Sequence, residues 1–134
     1  MDSKIYSIGA IGEQTGLSAD TLRYYEKIGL LGDIQRTGGQ RRYSQRHLDQ
    51  LQFIRRAQAM DFSLKEIAQL LKLRKDPVGS RAEVRTLAED KLDAINQRIK
   101  TLRSLQKELK GLIDECHGSG PGACPIIKGL ENKE

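Results

Sequence analysis

The sequence predicts a mainly α-helical protein with a small N-terminal head and one long C-terminal helix. Three observations predict this architecture. The first half contains four helix starts that are capped by serine, residues 88–116 carry an apolar repeat in steps of four and three, and two cysteines flank a Gly/Pro-rich stretch. We therefore divide the chain into a head (5–76), a long helix (80–116) and a cysteine-containing C-terminal segment (116–130).

The composition limits the class of protein. The chain has 134 residues, of which 31% are charged, and its net charge is +5. It has no apolar run of the length needed to cross a bilayer, and its start lacks a signal-peptide pattern, so we expect a cytoplasmic protein with reduced thiols and no membrane partner. The two histidines, His47 and His117, lie far apart without a Ser/His/Asp or glycine-rich phosphate pattern. This favours a binding protein over an enzyme.

Each predicted helix of the head begins at a serine with an apolar residue before it and another four residues after it. This arrangement is a hydrophobic staple around an N-cap. The four starts predict helices at 7–15, 18–28, 44–59 and 63–73. At the last start, Glu66 lies three residues after Ser63, which completes a capping box.

The first two helices are predicted to form a helix-turn-helix. Gly16 between them can adopt the left-handed conformation that ends one helix and directs the next. The second helix of such a motif enters the major groove of DNA. Leu22 and Tyr25, with Ile28 or Gly29, are expected to pack inward. Four side chains are then left to face DNA: Thr21, Arg23, Tyr24 and Lys27.

A basic hairpin is predicted after the second helix and would make the head a winged helix-turn-helix. Gly38 and Gly39 lie between extended flanks and suit a tight turn. The flanks carry Arg36, Arg41 and Arg42. Because the guanidinium fork matches phosphate oxygens, an arginine-rich wing favours DNA contact over a merely solvated surface.

A long dimerisation helix is predicted beyond the segment 76–79, whose proline and glycine interrupt the preceding helix. Ser80 is expected to cap it. Its apolar seam spans roughly 40 Å at 1.5 Å per residue, and a single exposed helix of that length is not stable alone, so we expect a dimer. The seam residues are Ala88, Leu92, Ile95, Ile99, Leu102, Gln106, Leu109, Ile113 and Cys116.

Five segments together resemble the MerR family of bacterial transcription regulators: Tyr6–Gly9, Thr21–Glu26, Gly29–Leu31, Arg41–Tyr43 and Phe62–Ile67. The resemblance implies a homodimer in which an antiparallel coiled coil joins two winged heads on promoter DNA. It also implies that an effector distorts the promoter and makes it usable by RNA polymerase. The residues that match DNA-contacting positions of the family are Thr21, Arg23, Tyr24, Arg41, Arg42 and Tyr43.

Cys116 and Cys124 are the candidate metal ligands, because two cysteines that bracket a Gly/Pro loop favour a ligand pair over two buried apolar residues. In metal sensors of the family, the matching pair binds a metal ion. The segment from Cys116 to Ile127 most resembles the copper-efflux type, which implies Cu(I), Ag(I) or Au(I). Two thiolates also suit a soft monovalent ion, whereas Zn(II) prefers four ligands.

Two residues are candidate accessory groups. Arg81 stands where mercury sensors of the family carry a third cysteine from the partner chain, and we hypothesise that it offsets the negative charge of a bis-thiolate. Solvation of Arg81, or its pairing with Glu83 or Glu89, is the alternative. His117 follows Cys116 and is a candidate ligand in a Hg(II) or Zn(II) site. Response to Hg(II) or Zn(II), or thiol redox sensing through a reversible disulfide, therefore remains open.

Overall fold

The computed structural model describes residues 4–118 and 120–131, so residue 119 of the predicted C-terminal segment lies outside the described part. The chain forms two compact units, and the boundary between them lies between Val84 and Arg85. The predicted mainly α fold, with a winged helix-turn-helix and a long C-terminal helix, is confirmed. The elements are β1 (Ile5–Tyr6), α1 (Ile8–Thr15), α2 (Ala19–Lys27), β2 (Gln35–Thr37), β3 (Gln40–Ser44), α3 (Gln45–Ala59), α4 (Leu64–Leu73), α5 (Arg81–Gly118) and α6 (Pro125–Glu131).

The four predicted serine caps are confirmed. Each hydroxyl accepts a hydrogen bond from the backbone N–H three residues on, at 3.1 to 3.4 Å, and the capping residues are Ser7, Ser18, Ser44 and Ser63. Glu66 accepts from the Ser63 N–H at 2.8 Å, as predicted. A second capping box was not predicted: Nδ1 of His47 accepts from the Ser44 N–H at 2.9 Å. These caps explain why the four helices begin where they do.

The turn between α1 and α2 depends on two glycines. Gly16 has a φ of 74°, as expected for a left-handed C-cap, and its N–H donates to the carbonyl of Gly12 at 2.7 Å. Gly12 is required for a different reason, because a Cβ at this position would lie 2.9 Å from the carbonyl oxygen of Leu17. The backbone of the turn therefore packs directly against α1.

Two side chains hold the end of α1 against α3. The Thr15 hydroxyl is buried and donates to the Ile11 carbonyl at 2.8 Å. The Arg55 guanidinium of α3 donates to the Thr15 carbonyl, one of the carbonyls that α1 cannot satisfy itself. The orientation of the helix-turn-helix is thus fixed by a side chain that lies 40 positions along the chain from it.

The wing is an antiparallel hairpin of β2 and β3 in which Arg36 pairs with Arg41. Its turn residues Gly38 and Gly39 have φ values of 60° and 79°, which the predicted tight turn requires. β1 pairs with the other edge of β3 and completes a three-stranded sheet in the order β1-β3-β2.

One apolar cluster forms the core of the head. Its buried members are Ile11, Leu22, Tyr25, Leu30, Leu31, Tyr43, Leu48, Leu51, Ile54, Ala57 and Ile67. The inward packing predicted for Leu22 and Tyr25 is confirmed, whereas Ile28 is 43% exposed. The core thus combines α1 to α4 with the base of the wing, and it presents the other face of α2 outward.

The junction before α5 is held by Ser80, which immediately precedes the helix and whose carbonyl accepts from the Val84 N–H at 3.0 Å. This residue is buried, and its hydroxyl donates to the carbonyl of Leu73 at 2.8 Å. Asp76 accepts from the Gly79 N–H at 3.1 Å and so closes the turn. The serine therefore attaches the junction to the last turn of α4.

The long helix α5 has 38 residues, and none of them is buried. Its seam is open to solvent in the single chain: Leu92, Ile99, Leu102, Leu109 and Ile113 are 40–57% exposed. In the described part of the chain, no helix has the length and apolar character needed to cross a membrane. The exposed stripe is thus the unsatisfied apolar surface of a helix that needs a partner.

The two glycines of α1 give a matched test of the turn. Gly12→Ala should destabilise the head by about 1–3 kcal/mol, because the new methyl group meets a backbone carbonyl that cannot move alone. Gly9→Ala in the same helix finds no atom closer than the Ser7 hydroxyl at 3.9 Å, so it should be neutral or stabilising by up to about 1 kcal/mol. Urea unfolding at equal protein concentration measures both. Equal stability of the two variants would contradict the close approach.

Candidate DNA interface and thiol site

The exposed face of α2 presents the predicted recognition residues. Arg23, Tyr24 and Lys27 are exposed, with Tyr24 at 51%, and Arg23 forms an ion pair with Asp20 at 3.1 Å. Thr21 is half-buried, and its hydroxyl lies 2.9 Å from the Ser18 hydroxyl at the helix start. Three long side chains of the predicted set are therefore available to a duplex, and Thr21 lies at the edge of this face.

A groove of about 410 Å³ joins the recognition helix to the wing. It is lined by Ser7, Ile8, Gly9, Arg23, Gly39, Gln40, Arg41 and Arg42. The groove brings three predicted DNA contacts, Arg23, Arg41 and Arg42, next to the N-terminus of α1. A helix N-terminus carries a partial positive charge and free N–H groups, so all of these features favour a phosphate group.

The wing arginines differ in their surroundings. Arg41 forms a short ion pair with the Glu26 carboxylate, and Arg36 reaches the other oxygen of the same carboxylate at 3.5 Å. Arg42 is half-buried, and in residues 4–118 and 120–131 no carboxylate lies within ion-pair distance of it. Arg42 is therefore the wing cation that a phosphate can engage without breaking an ion pair.

The predicted DNA contact through the Tyr43 side chain is corrected by the structure. The ring is fully buried and packs edge-on against His47, with ring centroids 5.9 Å apart. Burial, followed by the charge of Glu26, raises the pKa of its hydroxyl, which finds no hydrogen-bond partner among the described residues. Residues alternate between the two faces of β3, so Tyr43 supports the wing from the core while Arg42 points the other way.

Two residues that hold the DNA-facing surface in place, His47 and Arg55, were not predicted from the sequence. The pKa of His47 is lowered, mainly by burial. Hydrogen bonding to the backbone of Asp33 and Leu31 acts in the opposite direction but does not outweigh burial. The imidazole thus connects the segment before the wing with the cap of α3. Its position three residues after Ser44 was the available signal, but glutamate or glutamine is the residue usually expected there. No local pattern predicts the contact that Arg55 makes.

The two cysteines come together at the start of α6. Cys116 lies in the last turns of α5, and Cys124 immediately precedes α6, where its carbonyl accepts from the Lys128 N–H at 3.0 Å. Both are free thiols, and they lie close enough for each to influence the pKa of the other. α6 packs back on α5, since a Cβ at Gly129 would lie 2.9 Å from a methyl group of Leu112. α6 therefore returns to the last turns of α5, the part of the helix that carries Cys116.

The surroundings of the two thiols shift their pKa values in opposite directions. The pKa of Cys124 is lowered, because backbone N–H groups of Ile127 and Ile126 at the start of α6 hydrogen-bond to its sulfur. The pKa of Cys116 is raised by its hydrogen bond to Cys124 and by the charge there. These surroundings favour the thiolate, the form in which cysteine binds metals, at Cys124 more than at Cys116.

The two thiols are the metal donors that the described residues bring together. Among the described residues, no three His, Cys, Asp or Glu side chains cluster in a way that could hold a metal ion. A tetrahedral zinc site normally takes four protein ligands or three with water. Two neighbouring thiols are donors that soft, thiophilic ions prefer.

The two candidate accessory residues lie at opposite ends of α5. His117 is exposed and directly follows Cys116. Arg81 is the first residue of α5 and lines an apolar pocket of about 240 Å³ with Phe53, Leu73 and Val84. Arg81 is thus placed with the head.

Comparisons with known proteins match nearly the whole chain. The family described as MerR HTH family regulatory protein matches residues 6–73, and that described as MerR, DNA binding matches residues 48–112. The transcriptional regulator HmrR of Rhizobium leguminosarum bv. viciae is 36% identical over 126 residues, which cover 94% of this chain and 98% of HmrR. CueR of Escherichia coli O6:H1 is 34% identical over 125 residues, or 92% of this chain and 93% of CueR.

A solved structure extends the similarity to three dimensions. The transcription regulator PbrR691 from Ralstonia metallidurans CH34, in complex with lead(II), is 36% identical to this chain and has a TM-score of 0.78. The match covers 93% of this chain and 98% of PbrR691. Both the head and the region that holds the cysteines therefore lie within the similarity.

The unpaired wing arginine provides a test of the groove. Arg42→Ala should weaken binding to duplex DNA, and it should lower the slope of log affinity against log salt by about 1, because one phosphate contact is lost. Lys75→Ala removes the same charge from a different groove, which Arg46, Asp49 and Arg74 also line, and should leave that slope unchanged. Fluorescence anisotropy across a salt series measures both. An unchanged slope for Arg42→Ala would exclude the groove as a phosphate site.

Proposed function

The chain belongs to the MerR family of metal-responsive transcription regulators, and from this premise we propose that it is a homodimeric activator which Cu(I) or Ag(I) switches on through Cys116 and Cys124. The observation that carries the proposal is the pair of adjacent thiols at the start of α6. In this proposal the regulator acts on promoter DNA in the cytoplasm. Members of the family are non-enzymatic DNA-binding proteins.

The donor set supports a monovalent ion. A bound soft ion would supply two strong bonds to sulfur, and Cys116 and Cys124 would hold it. The N–H groups at the start of α6 favour negative charge on Cys124, so they stabilise a thiolate pair that a single positive charge does not neutralise completely. The protein therefore contributes ligand placement, N–H groups that favour the thiolate form of Cys124, and a helix that begins next to the site.

Divalent ions are the second candidate, and a specific observation favours them. PbrR691 is in complex with lead(II), and it resembles this chain over both of its units. A Hg(II) or Zn(II) response would require ligands beyond the two thiols or a low coordination number. His117 is the candidate ligand from the same chain. Arg81 of a partner protomer would oppose a divalent response if it offsets residual negative charge on a monovalent site.

A thiol redox response is the third candidate. Both cysteines are free thiols and lie near each other, which is the arrangement that a reversible disulfide needs. Mass spectrometry without reductant, before and after peroxide, measures the loss of two hydrogens per chain. A redox regulator would change promoter activity on peroxide treatment in the absence of any metal.

Promoter binding is proposed to use the groove and the recognition face together. Arg23, Tyr24 and Lys27 would contact the duplex, with Thr21 at their edge, while Arg36, Arg41 and Arg42 approach its backbone. In the proposed dimer, the exposed seam of α5 packs against its copy as an antiparallel coiled coil and carries one head at each end. Ion binding at α6 would then change the angle between heads, distort the promoter and realign it for RNA polymerase.

A metal competition experiment tests the proposal. Reduced protein should bind one Cu(I) or Ag(I) per protomer, and Cys124→Ser should lower the affinity by more than the roughly 10–100-fold that loss of a supporting residue costs. His117→Ala is the matched control beside the site and should retain both ion and stoichiometry. In vitro transcription from the operator should rise with Cu(I) or Ag(I) and not with Zn(II).

Separate outcomes identify the alternatives. Activation by Hg(II) or Zn(II) that is lost in His117→Ala would favour the divalent candidate. Failure of the unaltered reduced protein to bind any of the four ions, Cu(I), Ag(I), Hg(II) and Zn(II), would refute metal sensing altogether.

A further inference from the structure

A single carboxylate joins the recognition helix to both strands of the wing. Glu26 lies in the last turn of α2, and one of its oxygens receives the short bond from Nε of Arg41. Its other oxygen lies 3.5 Å from Nη2 of Arg36. The carboxylate therefore holds two arginines that come from different strands.

The hairpin register explains why these two arginines need a shared anion. Arg36 and Arg41 are direct partners across β2 and β3, and like charges at such positions destabilise a sheet. The side chains of Glu26 and Arg41 are only 21% and 23% exposed, so water screens this pair less than a surface ion pair. Removing the carboxylate would leave two facing cations, one of them half-buried.

Glu26 lies next to the side chains that are proposed to face DNA, so its ion pairs with Arg36 and Arg41 also affect how those side chains are placed. It directly precedes Lys27 on α2, and Arg41 also lines the groove that Arg23 and Arg42 share. Base contacts from a recognition helix read sequence, whereas backbone contacts set the register in which the helix meets the groove. The base contacts and the backbone contacts can fit one duplex at the same time only if the angle between α2 and the wing is fixed.

We propose that Glu26 is a positioning residue for operator recognition, which sets the angle of the wing to the recognition helix through Arg36 and Arg41. This inference rests on the proposed promoter binding. Glu26 itself carries a negative charge close to the DNA-facing surface and so opposes binding to any polyanion. Glu26 therefore increases affinity only for a duplex that the recognition helix and the wing can contact at the same time.

Two opposed effects give the proposal a distinct signature. Glu26→Gln removes a charge that repels DNA and frees two arginines, so binding to non-operator duplex should stay equal or become tighter. Binding to the operator should become weaker, because the wing no longer has one fixed position. The ratio of operator to non-operator affinity should fall roughly tenfold, which is within the range of a lost charge-assisted hydrogen bond.

The experiment uses the full-length protein, an operator selected from random-sequence duplexes, and a scrambled duplex of equal length. Glu26→Asp is the decisive second variant, since it keeps the charge but is too short to reach both arginines. A positioning role predicts a lower affinity ratio for Glu26→Asp, whereas a purely electrostatic role predicts the ratio of the unaltered protein. Glu13→Gln is the charge-matched control on α1, where the exposed carboxylate has no ion-pair partner among residues 4–118 and 120–131, and its ratio should not change.

Hydrogen exchange on the free protein gives a readout without DNA. Amides of residues 35–44 should exchange faster in both Glu26 variants, while those of α3 stay protected as in the unaltered protein. An unchanged affinity ratio in both variants, or equal tightening on both duplexes, would overturn the proposal. If the unaltered protein selects no operator at all, the proposed function itself fails and this inference fails with it.

Discussion

The exposed apolar seam of α5 is the surface that governs how the protein assembles. A helix of 38 residues with no buried side chain exposes Leu92, Ile99 and Leu102 to water, so it needs a second copy to cover it. Pairing of two such helices would also pair the heads, and a symmetric pair of heads reads two half-sites at a fixed spacing. The dimer interface and the spacing of the DNA contacts are in this way consequences of one unsatisfied surface.

The features of the fold that could be predicted are those that short-range rules determine. The serine caps, the left-handed Gly16, the Gly38-Gly39 turn and the seam each depend on residues a few positions apart. Contacts over longer sequence distances could not be predicted in this way. Arg55 reaches the Thr15 carbonyl and Ser80 turns to Leu73, because the tertiary arrangement decides which polar group each side chain meets.

In the candidate sites too, short-range features could be predicted from the sequence and long-range contacts could not. Cysteine spacing and the Gly/Pro stretch predicted that Cys116 and Cys124 would meet, but not that the N–H groups of Ile126 and Ile127 would favour charge on one of them. Family resemblance suggested Tyr43 as a DNA contact, although its ring belongs to the core and supports the wing from beneath. Glu26 was overlooked because an acidic residue on a DNA-reading helix has no evident local purpose. Its purpose becomes visible only when the hairpin register places two arginines opposite each other.

Native mass spectrometry of the reduced protein with equimolar Ag(I) is the decisive experiment, because it reports the oligomeric state and the number of bound ions together. We expect a dimer that carries one silver ion on each protomer. A silver-free dimer would contradict the assignment of the thiol pair. A protein that stays monomeric at micromolar concentration would contradict the role of the α5 seam, and the proposed coupling between the thiols and the promoter would fail with it.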